Sequence, residues 1–265
     1  MRAYQAYLVG SYELRGGLQM PQFKNDTVLI VGSGPNAVDC TQWFGFDQII
    51  AINNAWRIRP DWNALIYPED FPKDRHPPTL QPSQRRIEAD QFVPAQNAYG
   101  GFVYAGATMA FTAGYWALHA LRPRVMAFIG CDMVYAKTGP THFYGTGAPD
   151  PLRDDISLMD LGASSARLAL MAAAEGTRCV NLSQDDSALL FERAKPADLA
   201  HLPAARLPNP SAYGKALAAE ARLGYFVQNG RVWEEAHRFS RAPLLHLHAM
   251  WRAAYGAKTH MCAAA

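Results

Sequence analysis

Residues 27–31 read TVLIV and run directly into Gly32-Ser33-Gly34-Pro35. A short, β-branched apolar run of this kind is a strand buried on both faces. A glycine turn closed by proline then opens a helix, because proline is at home at a first helical position. A strand buried on both faces belongs to a parallel sheet, and parallel strands need helical crossovers. The rest of the chain repeats that alternation.

Further apolar runs occupy residues 48–52, ending at Asn53-Asn54, and 64–67, ending at Glu69-Asp70. Residues 71–96 are rich in proline and charge and read as a long loop of the kind that forms a lid. Residues 107–121 read as an apolar helix stopped by Pro123, followed by a strand over 124–129 that ends at Gly130-Cys131-Asp132. A second long loop carries Tyr135, Thr141, His142, Tyr144, Gly145 and Gly147. Residues 156–175 have helical spacing with Gly176 as terminator, 177–182 read as a fifth strand, and 183–186 can cap a helix starting near Ser187. After a proline-rich stretch the chain reads as two or three helices between Ser211 and Ala257, with Tyr225, Phe226, Trp233, Leu244, Leu247 and Trp251 near helical spacing. These helices are expected to pack on the α/β domain or on a second subunit, so a homo-oligomer stays open. The expected fold is α/β: a Rossmann-like open parallel sheet with helices on both faces and a C-terminal helical extension. Its divisions are an N-terminal extension over 1–26, the nucleotide-binding domain over 27–200, and the extension over 201–265.

Composition narrows the class. The chain has 265 residues, 49% apolar and 18% charged, which suits one globular core and not disorder. A net charge of +2 with mixed signs gives no reason to expect nucleic acid as partner. Four separated cysteines without metal spacing read as buried thiols in a reducing compartment. No apolar window of about 18 residues suits a transmembrane helix, and the first residues lack a signal-peptide core, so a cytoplasmic location is expected.

In an open parallel sheet, ligands bind beyond the carboxyl ends of the strands, and there this sequence turns polar. Gly32, Ser33 and Gly34 can bring backbone N–H groups to an anion ahead of Pro35, or can simply make a tight turn. Asn53 and Asn54 stand where a nicotinamide-binding fold would carry an acid, and an amide suits a base edge as well as a sugar. His142 is a candidate base or a loop-fixing residue. Tyr135 and Tyr144 can donate O–H groups to phosphate, and Asp132 can orient the histidine, hold a ribose or accept loop N–H groups.

VLIVGSGPN at 28–36, AINNAWR at 51–57, FIGCDM at 128–133, THFYG at 141–145 and VNLSQDDSALL at 180–190 resemble, in order and spacing, the bacterial sialyltransferases of glycosyltransferase family 42. They resemble at least as much that family's wider relatives, which include the motility accessory factors and the 6-hydroxymethylpterin pyrophosphokinase-like proteins. The resemblance covers residues 27–195. It implies a nucleotide domain without metal or other cofactor, in which the glycine turn and Asn53 hold a cytidine nucleotide, tyrosines hold its phosphate, and a histidine deprotonates the acceptor. Gly106 and Thr108 are the nearest match to the stretch that opens the helix before the fourth strand. The family's second histidine is matched by Thr146, which leaves His142 as the histidine of that loop. The expected activity is inverting transfer from a nucleotide-activated sugar, such as a CMP-sugar, to a hydroxyl acceptor. The alternatives are a Mg²⁺-dependent diphosphotransferase on a pterin-like substrate, using Glu69, Asp70 or Asp132, and a nucleotide-binding protein without turnover.

Overall fold

The computed structural model describes residues 23–135, 138–147 and 153–256. Seven strands form one sheet, β1 (Asn25–Val31), β2 (Gln48–Ile52), β3 (Ala64–Ile66), β4 (Arg85–Ile87), β5 (Pro123–Ile129), β6 (Arg178–Asn181) and β7 (Glu192–Arg193). All neighbours are parallel, in the order β4-β3-β2-β1-β5-β6-β7. The chain builds outward from β1 to one edge, then returns to the other side of β1 and builds to the opposite edge. The reversal between β1 and β5 is the topological switch point of a Rossmann-like sheet.

Alternation along β1 explains the layers. Val28 and Ile30 enter one apolar cluster, Leu29 and Val31 the other, and all four are buried. The first cluster is covered by α-helices: α1 (Ala89–Asn97), α2 (Phe102–Ala105), α3 (Met109–Leu121) and α4 (Leu161–Ala174). The second is covered by 3-10 segments, Pro35–Gln42, Asn53–Arg57 and Pro196–His201, which contribute Ala37, Cys40, Ala55 and Leu199. Buried Arg59 secures the first of these segments, donating to the carbonyls of Cys40 (2.8 Å) and Trp43 (2.9 Å) and pairing with Asp61 (2.7 Å). Those carbonyls have few intrahelical partners, so the guanidinium replaces a C-cap.

Three expectations need correction. The stretch 71–96 is not one open loop: it holds β4, a short 3-10 turn at Lys73–Arg75, and most of α1. No helix starts near Ser187; the hydroxyls of Ser183 and Ser187 accept from the amides of Asn36 (2.8 Å) and Asn181 (3.0 Å) instead. The first strand also begins at Asn25, inside the stretch expected to be an extension; residues 1–22 lie outside the described residues. Cys40, Cys131 and Cys179 are free and buried, as expected, while Cys262 is outside the described residues. Among the described residues no helix is long and apolar enough to cross a membrane.

The C-terminal helices α5 (Pro210–Leu223), α6 (Val232–Glu235) and α7 (Arg241–Tyr255) share the main core. Tyr213, Leu217, Leu244, Leu247 and Trp251 lie in the same cluster as Val28 and Phe128. A buried ion pair ties α5 to the α/β domain. The guanidinium of Arg167 on α4, 1% exposed, meets the carboxylate of Glu220 on α5, 0% exposed, through two bonds of 2.8 and 2.6 Å. It also donates to the Tyr115 hydroxyl on α3 at 2.6 Å, and the Trp251 ring on α7 lies 5.5 Å from its carbon. Four helices therefore meet on one buried charge. Trp233, in contrast, is 65% exposed and does not join the stripe expected of it.

Removing one partner of such a pair strands a charge in the core. Glu220→Ala is expected to cost about 3–5 kcal/mol. A urea titration showing a loss below about 1 kcal/mol would mean the pair does not hold α5 in place.

Candidate active site

The ends of β1 and β5 touch. The Gly32 N–H donates to the Ile129 carbonyl and the Gly34 N–H to the Gly130 carbonyl, both at 2.8 Å. A Cβ on Gly32 would strike the Gly130 carbonyl and Cys131 Sγ, and one on Gly34 would lie 2.9 Å from that same carbonyl oxygen. Gly130 has φ +67°, and its own Cβ would meet that of Ala37 at 2.6 Å. The glycines are thus required by backbone packing. The expectation that these N–H groups face an anion does not hold for Gly32 and Gly34, since both are paired within the sheet.

Beyond this contact opens a cleft of about 1050 Å³. It brings together Gly32, Ser33, Gly34, Pro35, Asn53, Asn54, Thr108, Asp132, Tyr135, His142 and Tyr144. Gly106 lies off it: at φ +85° it closes α2, and its carbonyl accepts from buried Gln96 (2.8 Å). Thr108 caps α3, its hydroxyl accepting from the Phe111 N–H at 3.3 Å.

The His142 loop is docked on the glycine turn, with the Phe143 N–H donating to the Ser33 carbonyl at 3.0 Å. Reciprocal bonds between His142 and Gly145, 2.9 and 3.1 Å, close a tight turn. The Thr141 hydroxyl sits 2.9 Å from His142 Nδ1 and accepts from the Gly147 N–H at 3.0 Å. The imidazole stacks on Tyr144 with centroids 5.0 Å apart and lies 6.3 Å from the Tyr135 ring. Burial holds its pKa below the usual histidine value. Thr146 also lines the cleft, its hydroxyl directed to the Gly139 carbonyl at 3.5 Å.

On the β2 side, Asn53 takes φ +52°, a left-handed conformation that asparagine tolerates. The side-chain oxygens of Asn53 and Asn54 are buried with no hydrogen-bond partner among the described residues, and Asn54 is 3% exposed. Asn36 Oδ1, on another residue lining the cleft, is likewise buried without a partner among the described residues, whereas buried polar atoms are normally satisfied. Arg57 and Arg75 line this side too. The Trp56 indole N–H, next to Arg57 in the chain, donates to the Arg75 carbonyl at 3.0 Å.

On the β6 side, Asp132 is clamped. One carboxylate oxygen accepts from Asn36 Nδ2 (2.8 Å), the other from Asn181 Nδ2 (3.0 Å). Asn36 Nδ2 is also 2.8 Å from Asp185, which lines the cleft with Asp186. The cleft is therefore cationic toward β2 and β3 and anionic toward β6. Glu69 and Asp70 are not part of it: they line a second cavity, where Glu69 pairs with Arg231 at 3.2 Å. Among the described residues no three His, Cys, Asp or Glu side chains gather in a metal-holding group.

Sequence reasoning missed Arg57, Arg75 and Asn36. Arg57 was within reach, since it follows the end of β2 by only five residues. Arg75 was hidden by reading 71–96 as an open loop. No family model, curated protein or solved structure matches this chain.

The close approach makes a sharp test. Gly32→Ala should cost about 1–3 kcal/mol or more, because backbone and not a flexible side chain must move. Chemical denaturation that leaves the midpoint unchanged would mean the strand ends are not packed as described.

Proposed function

We propose that the protein is a glycosyltransferase-like enzyme that transfers a sugar from a nucleotide-activated donor to a hydroxyl acceptor, with inversion and without a metal. The observation that carries this reading is His142: a partly buried imidazole, fixed through Nδ1, in the same cleft as three asparagines with unpartnered amide oxygens and two arginines. The family resemblance makes a CMP-sugar the first donor to try.

Each group has a task. Unsatisfied acceptors on Asn53 and Asn54 suit N–H or O–H donors of a base or ribose. Arg57, Arg75 and the tyrosine hydroxyls supply charge and donors to a phosphate. With Nδ1–H donating to Thr141, His142 Nε2 carries the lone pair. The acceptor oxygen attacks the anomeric carbon, its proton passes to Nε2, and the bond to phosphate breaks. The electron pair leaves on the phosphate, where Tyr135, Tyr144 and the arginines stabilise it.

A second reading has one observation in its favour. Oxygens of Asp132 and Asp185 converge within 2.8 Å of one nitrogen, Asn36 Nδ2, as they would around Mg²⁺ between phosphates. Titration with CMP and CDP in chelator separates the two: the transferase reading requires binding there, the diphosphate reading requires added Mg²⁺.

His142→Ala should lower turnover about 10²–10⁴-fold with nucleotide affinity nearly unchanged, measured on one preparation with its melting temperature. Joint loss of stability and affinity would make His142 a loop-fixing residue. A base held below its usual pKa stays neutral at lower pH, so the acid limb of the kcat/KM profile should lie below pH 6.5. Asn54→Leu should keep or raise the melting temperature, since it removes an unpaired buried oxygen, while abolishing nucleotide binding.

A further inference from the structure

Next to the main cleft, and sharing Pro68 and Met109 with it, lies a second cavity of about 260 Å³. Its floor is apolar, with Phe92 and Phe102, and its outer wall comes from the chain segment Asn229, Gly230, Arg231 and Trp233. That wall is fixed in advance. Asn97 Nδ2 donates to the Gln228 carbonyl (2.8 Å), Asn229 Oδ1 accepts from the Arg231 N–H (2.9 Å), and Arg231 pairs with Glu69 across the mouth. Gly230, at φ +76°, lies against Phe102, where a Cβ would come within 3.0 Å.

Three features need an occupant. The Thr112 hydroxyl, on a side chain 1% exposed that lines the cavity, has no hydrogen-bond partner among the described residues. Trp233 stands 65% exposed beside the opening. Of the lining charges, Arg231 pairs with Glu69 and Arg153 with Asp155 at 3.3 Å, and Asp70 adds one more carboxylate, so the wall offers donors and acceptors together with a slight excess of negative charge. An anionic ligand is not selected by such a wall. A ring with an apolar C–H face and several hydroxyls is, since it can lie on an indole while its hydroxyls meet carboxylate and guanidinium. The volume is slightly below the range of pockets for drug-sized ligands, about 300–1,000 Å³, and so suits one ring.

We propose that this cavity is a second substrate site that takes one uncharged, hydroxyl-rich carbohydrate ring, and that it is the acceptor subsite. The acceptor role rests on the transferase reading; carbohydrate binding itself does not. Pro68 and Met109, common to both cavities, place a bound ring beside the cleft where transfer would occur.

The test uses methyl glycosides of neutral hexoses as probes, with and without saturating CMP, followed on the indole N–H resonance of Trp233 (assigned through Trp233→Phe). At least one glycoside should shift that resonance saturably. By calorimetry, which does not need the Trp233 reporter, Trp233→Ala should weaken binding of that glycoside about tenfold or more, and Thr112→Val about 3- to 10-fold with no loss of melting temperature, the signature of a lost ligand hydrogen bond. No shift under either condition, or affinities unchanged in both variants, overturns the second site. CMP binding that persists in that case leaves the donor reading standing. Glycoside binding without any CMP binding sinks the donor reading and keeps the carbohydrate site.

Discussion

The ends of β1 and β5 lie so close that no side chain fits between them, and most of the cleft is arranged by that contact. Gly32 and Gly34 spend their N–H groups on β5, and Gly130 turns through a positive φ to let Ala37 pass. The 3-10 segment beginning at Pro35 is thereby aimed over the switch point. Its Asn36 reaches across to Asp132, and the Ser33 carbonyl is left to receive the His142 loop. The turn acts as a joint, and recognition passes to the side chains around it.

Those side chains divide by the direction in which the sheet is built. β2 and β3 lead to the asparagines and arginines, β5 to Asp132 and β6 to Asp185 and Asp186. An elongated ligand with an anionic group would find one favoured orientation in such a field. The buried Arg167–Glu220 pair matters here indirectly. It fixes α5 against α3 and α4, and the segment beyond α5 forms the wall of the second cavity.

Much of this was legible in sequence, for physical reasons that also explain the failures. β1, β2, β3, β5 and β6 are central or near-central strands, and their apolar runs announce burial on both faces. β4 (RRI) and β7 (ER) are short edge strands in which only Ile87 is buried, so no hydrophobic pattern marks them. Pro94 inside α1 and the charged approach to it disguised a helix as loop. Near Ser187 a good capping pattern lost to tertiary hydrogen bonds from Asn36 and Asn181. In the site, residues that follow a strand directly could be placed, because the strand end fixes them. Arg75, on a turn between two connections, could not. The orphan oxygens of Asn53 and Asn54 have no sequence signal, since burial of one atom depends on the whole packed wall.

The central claim is that a nucleotide binds at the switch point through groups on both sides of β1. Amide chemical-shift mapping during a CMP titration in chelator tests it most directly. The account predicts saturable shifts concentrated at Ser33–Asn36, Asn53–Arg57 and Asp132–Tyr135, with α5 and α7 undisturbed. Absence of saturable shifts, or shifts centred on residues away from the ends of β1 and β5, would contradict it.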